Sequence, residues 1–234
     1  KQNEECQSIF KGKFINHCEG INNDYSSVNE EDFTCIALTV IGKKNLHESF
    51  ESLCEPDIVQ IGENKDANKY QRILKAPQAL VIQLKRFEID FTSFKRYKVN
   101  SIYEFPETFD IGPYMDDKKE KIYELFGVVI HSGRANSGHY YSLIKLNKKW
   151  YEFNDNYVHE FPEDKFQKVV FGSDKSERNG YLLFYHEKDA VFSDGKNIIR
   201  YDEVPDPELA NEILNDLNKE KPHYCLFTEP FLQL

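Results

Sequence analysis

The sequence predicts an α+β fold built mainly on antiparallel sheet, and three observations carry that expectation. Short runs rich in β-branched and aromatic residues recur along the chain, at Cys35–Ile41, Ala79–Leu84, Leu125–Ile130, Tyr140–Leu146 and Tyr181–Tyr185, the composition of half-buried or buried strands. Turn residues separate these runs, and Asn147-Lys148 is placed to join two of them as a two-residue hairpin. Helical periodicity is confined to a few short stretches.

Taken in order, residues 1 to 35 are polar, with strand character at Ile9–Phe14 and from Asp32-Phe33 onward. Cys35–Ile41 is a strand. Asn45 can cap a short helix, with Glu48 reaching back from the third position and Leu46, Phe50 and Leu53 on the buried stripe. The charged segment Glu55–Lys69 reads as an extended, solvated excursion. Ala79–Leu84 is apolar enough to be buried on both faces, as a central strand is. Tyr97–Phe105 gives a further strand, Lys118–Lys121 a solvated turn, and Glu163–Val169 a short helix. Gly172–Gly180 is a polar loop before the last strong strand, Tyr181–Tyr185. In the tail, Asp206-Pro207 opens a helix with Leu209, Ile213, Leu214 and Leu217 on one face.

With 234 residues the chain can bury a substantial core, as one domain or two packed lobes. The division expected is 1–75, a finger-like β region; 76–189, a palm; and 190–234, an extension with one helix. A net charge of −10 without a lysine-rich block argues against nucleic acid as a partner and for a basic protein surface. No apolar run is long enough to span a bilayer, and the first residues are not a signal peptide. Five cysteines without regular spacing suggest a reducing compartment rather than a disulfide framework. The expectation is a soluble protein of the cytoplasm or nucleus, without a membrane.

The chemistry is sought between Val128 and Asp155. A hairpin runs into Ser137-Gly138-His139-Tyr140-Tyr141, and the turn at Asn147-Lys148 makes Tyr141 oppose Asn154. His139 shares the face of Tyr141, so its ring lies diagonal to Asn154, within side-chain reach. A histidine held by an amide can serve as a general base. By spacing alone, a strand-end histidine beside a turn asparagine is the other reading.

Five segments in order widen the context: Leu80–Phe87, Val129–Gly133, Ser137–Tyr141, Trp150–Asp155 and Gly180–Tyr185. With these words the chain resembles the ubiquitin-specific proteases, papain-like cysteine deubiquitinases, over roughly residues 8 to 187. Within the family, Gly42–Phe50 and Tyr103–Glu107 are most similar to the herpesvirus-associated branch. The resemblance implies a papain-like fold of fingers, palm and thumb. It implies that His139 is the general base, that Asn154 orients it, and that Asp155 is a reserve polarising group. It also implies that Arg86, Phe87, His131, Tyr140 and Tyr181 line the channel for the ubiquitin tail. Phe87, Tyr140 and Tyr181, on strands, also have a core reading; the channel role is preferred for His131 and Tyr140, and Tyr181 stands even. Ubiquitin and ubiquitinated proteins are the implied partners, and no cofactor is implied.

Two departures from the family pattern matter. The nucleophile-bearing Gly-Asn-Thr-Cys-type segment is not among these residues: Cys6, Cys18, Cys35, Cys54 and Cys225 all sit in other contexts. The chain is therefore expected to be the C-terminal part of a catalytic domain, inactive alone, whose missing N-terminal part is a further partner. The paired Cys-x-x-Cys motifs of a finger zinc site are reduced to His17-Cys18, so no metal is expected.

Overall fold

The computed structural model describes residues 9–62 and 65–188. The expected extension at 190–234 with its helix, together with Cys6 and Cys225, lies outside the described residues. Among the described residues, fourteen strands, two complete α-helices and one 3₁₀ turn follow in sequence. The larger sheet runs β13 (Tyr157–Phe161), β12 (Lys149–Asn154), β11 (Ser137–Leu146), β10 (Ile122–Arg134), β14 (Arg178–Glu187), β6 (Ala79–Lys85), β3 (Ile36–Thr39), with β9 (Thr108–Asp110) beside β10. All neighbours are antiparallel except β3 and β6. The smaller sheet has the order β2 (Ser26–Phe33), β1 (Gly12–Gly20), β5 (Asp66–Lys75), β4 (Asp57–Gln60), and β7 (Phe87–Asp90) pairs with β8 (Lys95–Lys98) as a separate hairpin.

The apolar runs form the centre of the larger sheet, where Leu80, Ile82, Leu84, Val128, Ile130 and Leu183 are almost fully buried on one face of their strands. Val81, Gln83, Val129 and Leu182 on the other face are only partly covered, so the burial on both faces expected of Ala79–Leu84 is not met. Trp150 and Phe166 stack at 4.2 Å where α2 (Glu163–Val170) packs. Helix α1 (Leu46–Cys54) begins as its sequence requires. Asn45 Oδ1 accepts from Glu48 N–H at 3.0 Å, while the Glu48 carboxylate accepts from Lys44 N–H at 2.8 Å, one residue before the cap. Its buried side is Leu46, Ser49, Phe50 and Cys54, with Leu53 only partly covered.

Several expectations are corrected. The first strand starts at Gly12 rather than Ile9, since Ile9 and Phe10 are helical. Glu55–Lys69 is not an excursion: it holds β4 and the start of β5, a hairpin whose residues are mostly solvent-facing, so no apolar alternation announced it. The strand expected at Tyr97–Phe105 is instead β8, ending at Lys98. Across residue 75, β3 pairs with β6 in the larger sheet and a single hydrophobic cluster runs from Phe14 to Tyr185.

Candidate active site

Four strand ends of the larger sheet converge at one edge: the end of β10, the start of β11, the end of β12 and the start of β14. The β10–β11 ladder continues to Arg134 opposite Ser137, leaving a two-residue turn, Ala135-Asn136, rather than the longer loop that Gly133 and Gly138 suggested. The glycines serve close approach instead. A Cβ on Gly138 would lie 2.2 Å from His131 Nε2, and Gly133, at φ +127°, would bring one within 2.6 Å of the Ser137 carbonyl. The sequence therefore puts glycine where the His131 ring lies flat on the neighbouring strand.

The β11–β12 register is the one the turn arithmetic requires, with Ser142 opposite Phe153 and the connection Asn147-Lys148 at positive φ for both residues. His139 and Asn154 meet as a result, His139 Nε2 lying 2.7 Å from Asn154 Oδ1. Asp155, in the following turn at φ 51°, brings Oδ2 to 3.8 Å from the same nitrogen. Its carboxylate is 75% exposed, so its field at His139 is weakened by water. The other His139 nitrogen, Nδ1, is left for a partner at an open edge; the ring itself is half exposed.

One determinant of this geometry escaped the sequence reading. Asn154 Nδ2 donates to Glu152 Oε1 at 2.9 Å. A carboxylate only accepts, so the amide presents its N–H side to Glu152 and its oxygen to His139, and His139 donates from Nε2. The signal was available, since residues two apart on a strand share a face.

Beside this pair lies an aromatic group. His131 stands across from Tyr140 with rings 4.8 Å apart, Phe87 meets His131 edge-on at 5.0 Å and Tyr181 at 5.5 Å, and Tyr140 lies 5.7 Å from Tyr181. Gln83 fixes the Tyr181 hydroxyl at 2.7 Å. Tyr140 is exposed while His131 is buried, with Nδ1 lacking a protein partner. Burial first, and then the Lys98 charge, push the His131 pKa down, favouring the neutral ring.

Arg86 does not belong to that wall. Its side chain is fully buried and donates to four backbone carbonyls: Gly180 at 2.9 Å, Val99 at 2.9 Å, Ser101 at 3.1 Å and Phe171 at 3.1 Å. It cross-links β14, the segment after β8 and the end of α2, and spends four of its five N–H donors on that scaffold. Lys98 does similar work nearer the histidines, donating to the carbonyls of His131, Gly133 and Glu177 at 3.0, 3.1 and 2.6 Å.

The described cysteines lie in other settings. Cys54 ends α1, buried, with its thiol 4.0 Å from the Tyr114 carbonyl, and burial raises its pKa. Burial likewise raises that of Cys35. His139's hydrogen bond and ion pair go to Asn154 and Asp155, not to sulfur. His17 stacks on Tyr70 at 4.7 Å and contacts Asp116 at 3.2 Å; among the described residues no group of three or more potential ligands is gathered for a metal ion.

A base-and-orienter pair at a sheet edge occurs in many hydrolases, so geometry alone does not choose a family. The family model described as ubiquitin carboxyl-terminal hydrolase matches residues 1–185. The chain belongs to that family. Ubiquitin carboxyl-terminal hydrolase 15 of Saccharomyces cerevisiae is 38% identical over 191 residues, covering 71% of this chain and 15% of its own length. Ubiquitin carboxyl-terminal hydrolase 5 of Schizosaccharomyces pombe is 32% identical over 236 residues, covering 89% and 21%. The chain thus spans about a fifth or less of these relatives. Among solved structures, the SAGA Ubp8/Sgf11/Sus1/Sgf73 deubiquitinase module bound to ubiquitin aldehyde has a chain that is 27% identical, with TM-score 0.67 over 78% of this chain and 42% of the other. The same module bound to monoubiquitin gives a TM-score of 0.69. The mainly antiparallel α+β architecture is the fold of this hydrolase family.

Proposed function

We propose that this chain is the fingers-and-palm, C-terminal part of a thiol-dependent deubiquitinase domain, of the herpesvirus-associated branch on the strength of Gly42–Phe50 and Tyr103–Glu107, acting in the cytoplasm or nucleus on ubiquitinated proteins. The observation that carries the reading is the 2.7 Å contact between His139 Nε2 and Asn154 Oδ1 at an open sheet edge. With Nε2–H spent on Asn154, Nδ1 takes the proton of a cysteine thiol supplied from outside this chain. The thiolate attacks the isopeptide carbonyl after ubiquitin's terminal glycine, and the imidazolium returns the proton to the departing lysine amine. Water, deprotonated by the same nitrogen, then releases ubiquitin from the thioester. Asn154 orients the ring without adding charge; Asp155 contributes weakly through solvent.

Phe87, His131, Tyr140 and Tyr181 suit a wall for a thin glycine-rich tail, since flat rings leave room for backbone and exclude larger side chains. The acidic balance suits a basic partner face. Neither cofactor nor metal enters this chemistry.

A second reading, a ubiquitin-binding unit without hydrolysis, is favoured by the raised pKa of Cys54 and Cys35, opposite to what a nucleophile needs. A fluorogenic ubiquitin substrate separates the readings. The purified 234-residue chain should bind ubiquitin without turnover, and the protein carrying the upstream segment should turn over and lose that activity with His139→Ala. Turnover by the chain alone would overturn the missing nucleophile, and unchanged turnover with His139→Ala would overturn the assigned base.

A further inference from the structure

The amide that orients His139 is itself held, and its holder dictates which residue type can work at position 154. Glu152 and Asn154 share one face of β12 and are joined by the 2.9 Å bond from Asn154 Nδ2 to Glu152 Oε1. The Glu152 side chain is only 16% exposed, and its other oxygen lies 3.9 Å from Nε2 of His159, its cross-strand partner on β13. Tyr141 is also near this carboxylate; burial first, then Glu152, raise its pKa, and Arg178 opposes them. Between an acceptor-only carboxylate and a ring nitrogen that must donate, position 154 needs a group that donates on one side and accepts on the other. An asparagine amide does this. An aspartate does not: two carboxylates at hydrogen-bond separation repel, so one must take up a proton or swing away from His139.

We infer that Glu152 is a positioning residue that selects asparagine over aspartate at 154 and, through that amide, fixes the proton of neutral His139 on Nε2. Its kinetic consequence rests on the deubiquitinase reading; the hydrogen-bond polarity belongs to this chain regardless of activity.

The test has two arms. In the 234-residue chain, at a pH where the ring is neutral, imidazole ¹⁵N shifts of His139 should report the Nε2–H tautomer. Glu152→Lys, which offers a donor where Glu152 accepts, turns the amide round and should move the ring toward Nδ1–H; adding Asn154→Asp should restore Nε2–H. In the protein carrying the nucleophile, Asn154→Asp should lower kcat by about tenfold or more with Glu152 present, part of what a positioned base contributes, and recover to within about threefold of the parent when combined with Glu152→Lys. Should Glu152→Lys fail to fold, Glu152→Gln serves in both arms: alone it should leave a mixture of tautomers, and with Asn154→Asp it should restore Nε2–H and kcat. An unchanged tautomer in the position-152 variants, or full activity of Asn154→Asp alone, would overturn the inference. Absence of turnover in the parent protein would refute the deubiquitinase reading, and the tautomer arm would still decide the role of Glu152.

Discussion

Replacing Arg86 by methionine removes a cation that is buried with no carboxylate partner among the described residues, and the structure sets the size of the effect. Four carbonyls lose charged donors at 2.9 to 3.1 Å. Bonds of this kind are worth roughly 1.5–3 kcal/mol each, about 6–12 kcal/mol gross. Against that stands the cost of burying the guanidinium, which lowers its pKa from 12.5 to about 10, equivalent to about 3 kcal/mol. The apolar methionine returns about 2 kcal/mol of burial. The balance is a loss of about 1–7 kcal/mol, and its midpoint near about 4 kcal/mol corresponds to roughly 10 °C in melting temperature for a domain of this size. Arg86→Lys should retain part of this, because one ammonium cannot span four carbonyls on three elements. Urea titration of both variants measures the effect. A loss below about 1 kcal/mol for Arg86→Met would refute the cross-link as a major stabiliser and reopen Arg86 as a residue kept for a ligand.

Other consequences can be checked in the same chain. Lys98 has its pKa lowered to about 8 by burial and then by Arg86, with Glu177 opposing, and Arg134 is paired with Glu177. Because the folded value lies below the ordinary 10.5, the folded chain releases this proton first as pH rises. Overall stability should not fall on this account between pH 8 and 10.5, yet the neutral amine has only two N–H donors for three carbonyls. The ¹³C carbonyl shifts of His131, Gly133 and Glu177 should titrate together near pH 8 without a drop in the urea midpoint; flat shifts would show that the amine is not their shared donor. Gly138→Ala should cost about 1–3 kcal/mol, because the new methyl meets the His131 ring and the Ser132 carbonyl, and it should disturb the His139 ring signals; an unperturbed spectrum would contradict the close packing. Asn45→Ala should destabilise by about 1 kcal/mol through the lost cap, measured by urea unfolding, whereas Asn45→Asp should be nearly neutral.

What could be read from the chain and what could not divides along physical lines. The apolar strands were legible because a buried face opposite a partly covered one selects near-continuous apolar and β-branched runs, and the His139–Asn154 meeting was legible because a two-residue turn fixes the register of everything beyond it. The cap of α1 was legible for the same local reason. The hairpin β4–β5 was hidden because a sheet exposed to water needs no apolar alternation, and its charged residues look like loop.

Arg86 shows a different limit. The family resemblance implied a ligand-facing side chain for it, but only the tertiary fold brings the carbonyls of residues 99, 101, 171 and 180 around one guanidinium. The direction of the Asn154 amide was also undecided by sequence, since it depends on where the Glu152 carboxylate lies in space. By itself, then, the sequence determined the fold class, the register of β11 against β12 and the meeting of the histidine with its amide, all matters of local pattern and short connections. The tertiary structure alone decided which polar groups are spent on the scaffold and which remain for chemistry, because that depends on donors and acceptors brought together from distant parts of the chain.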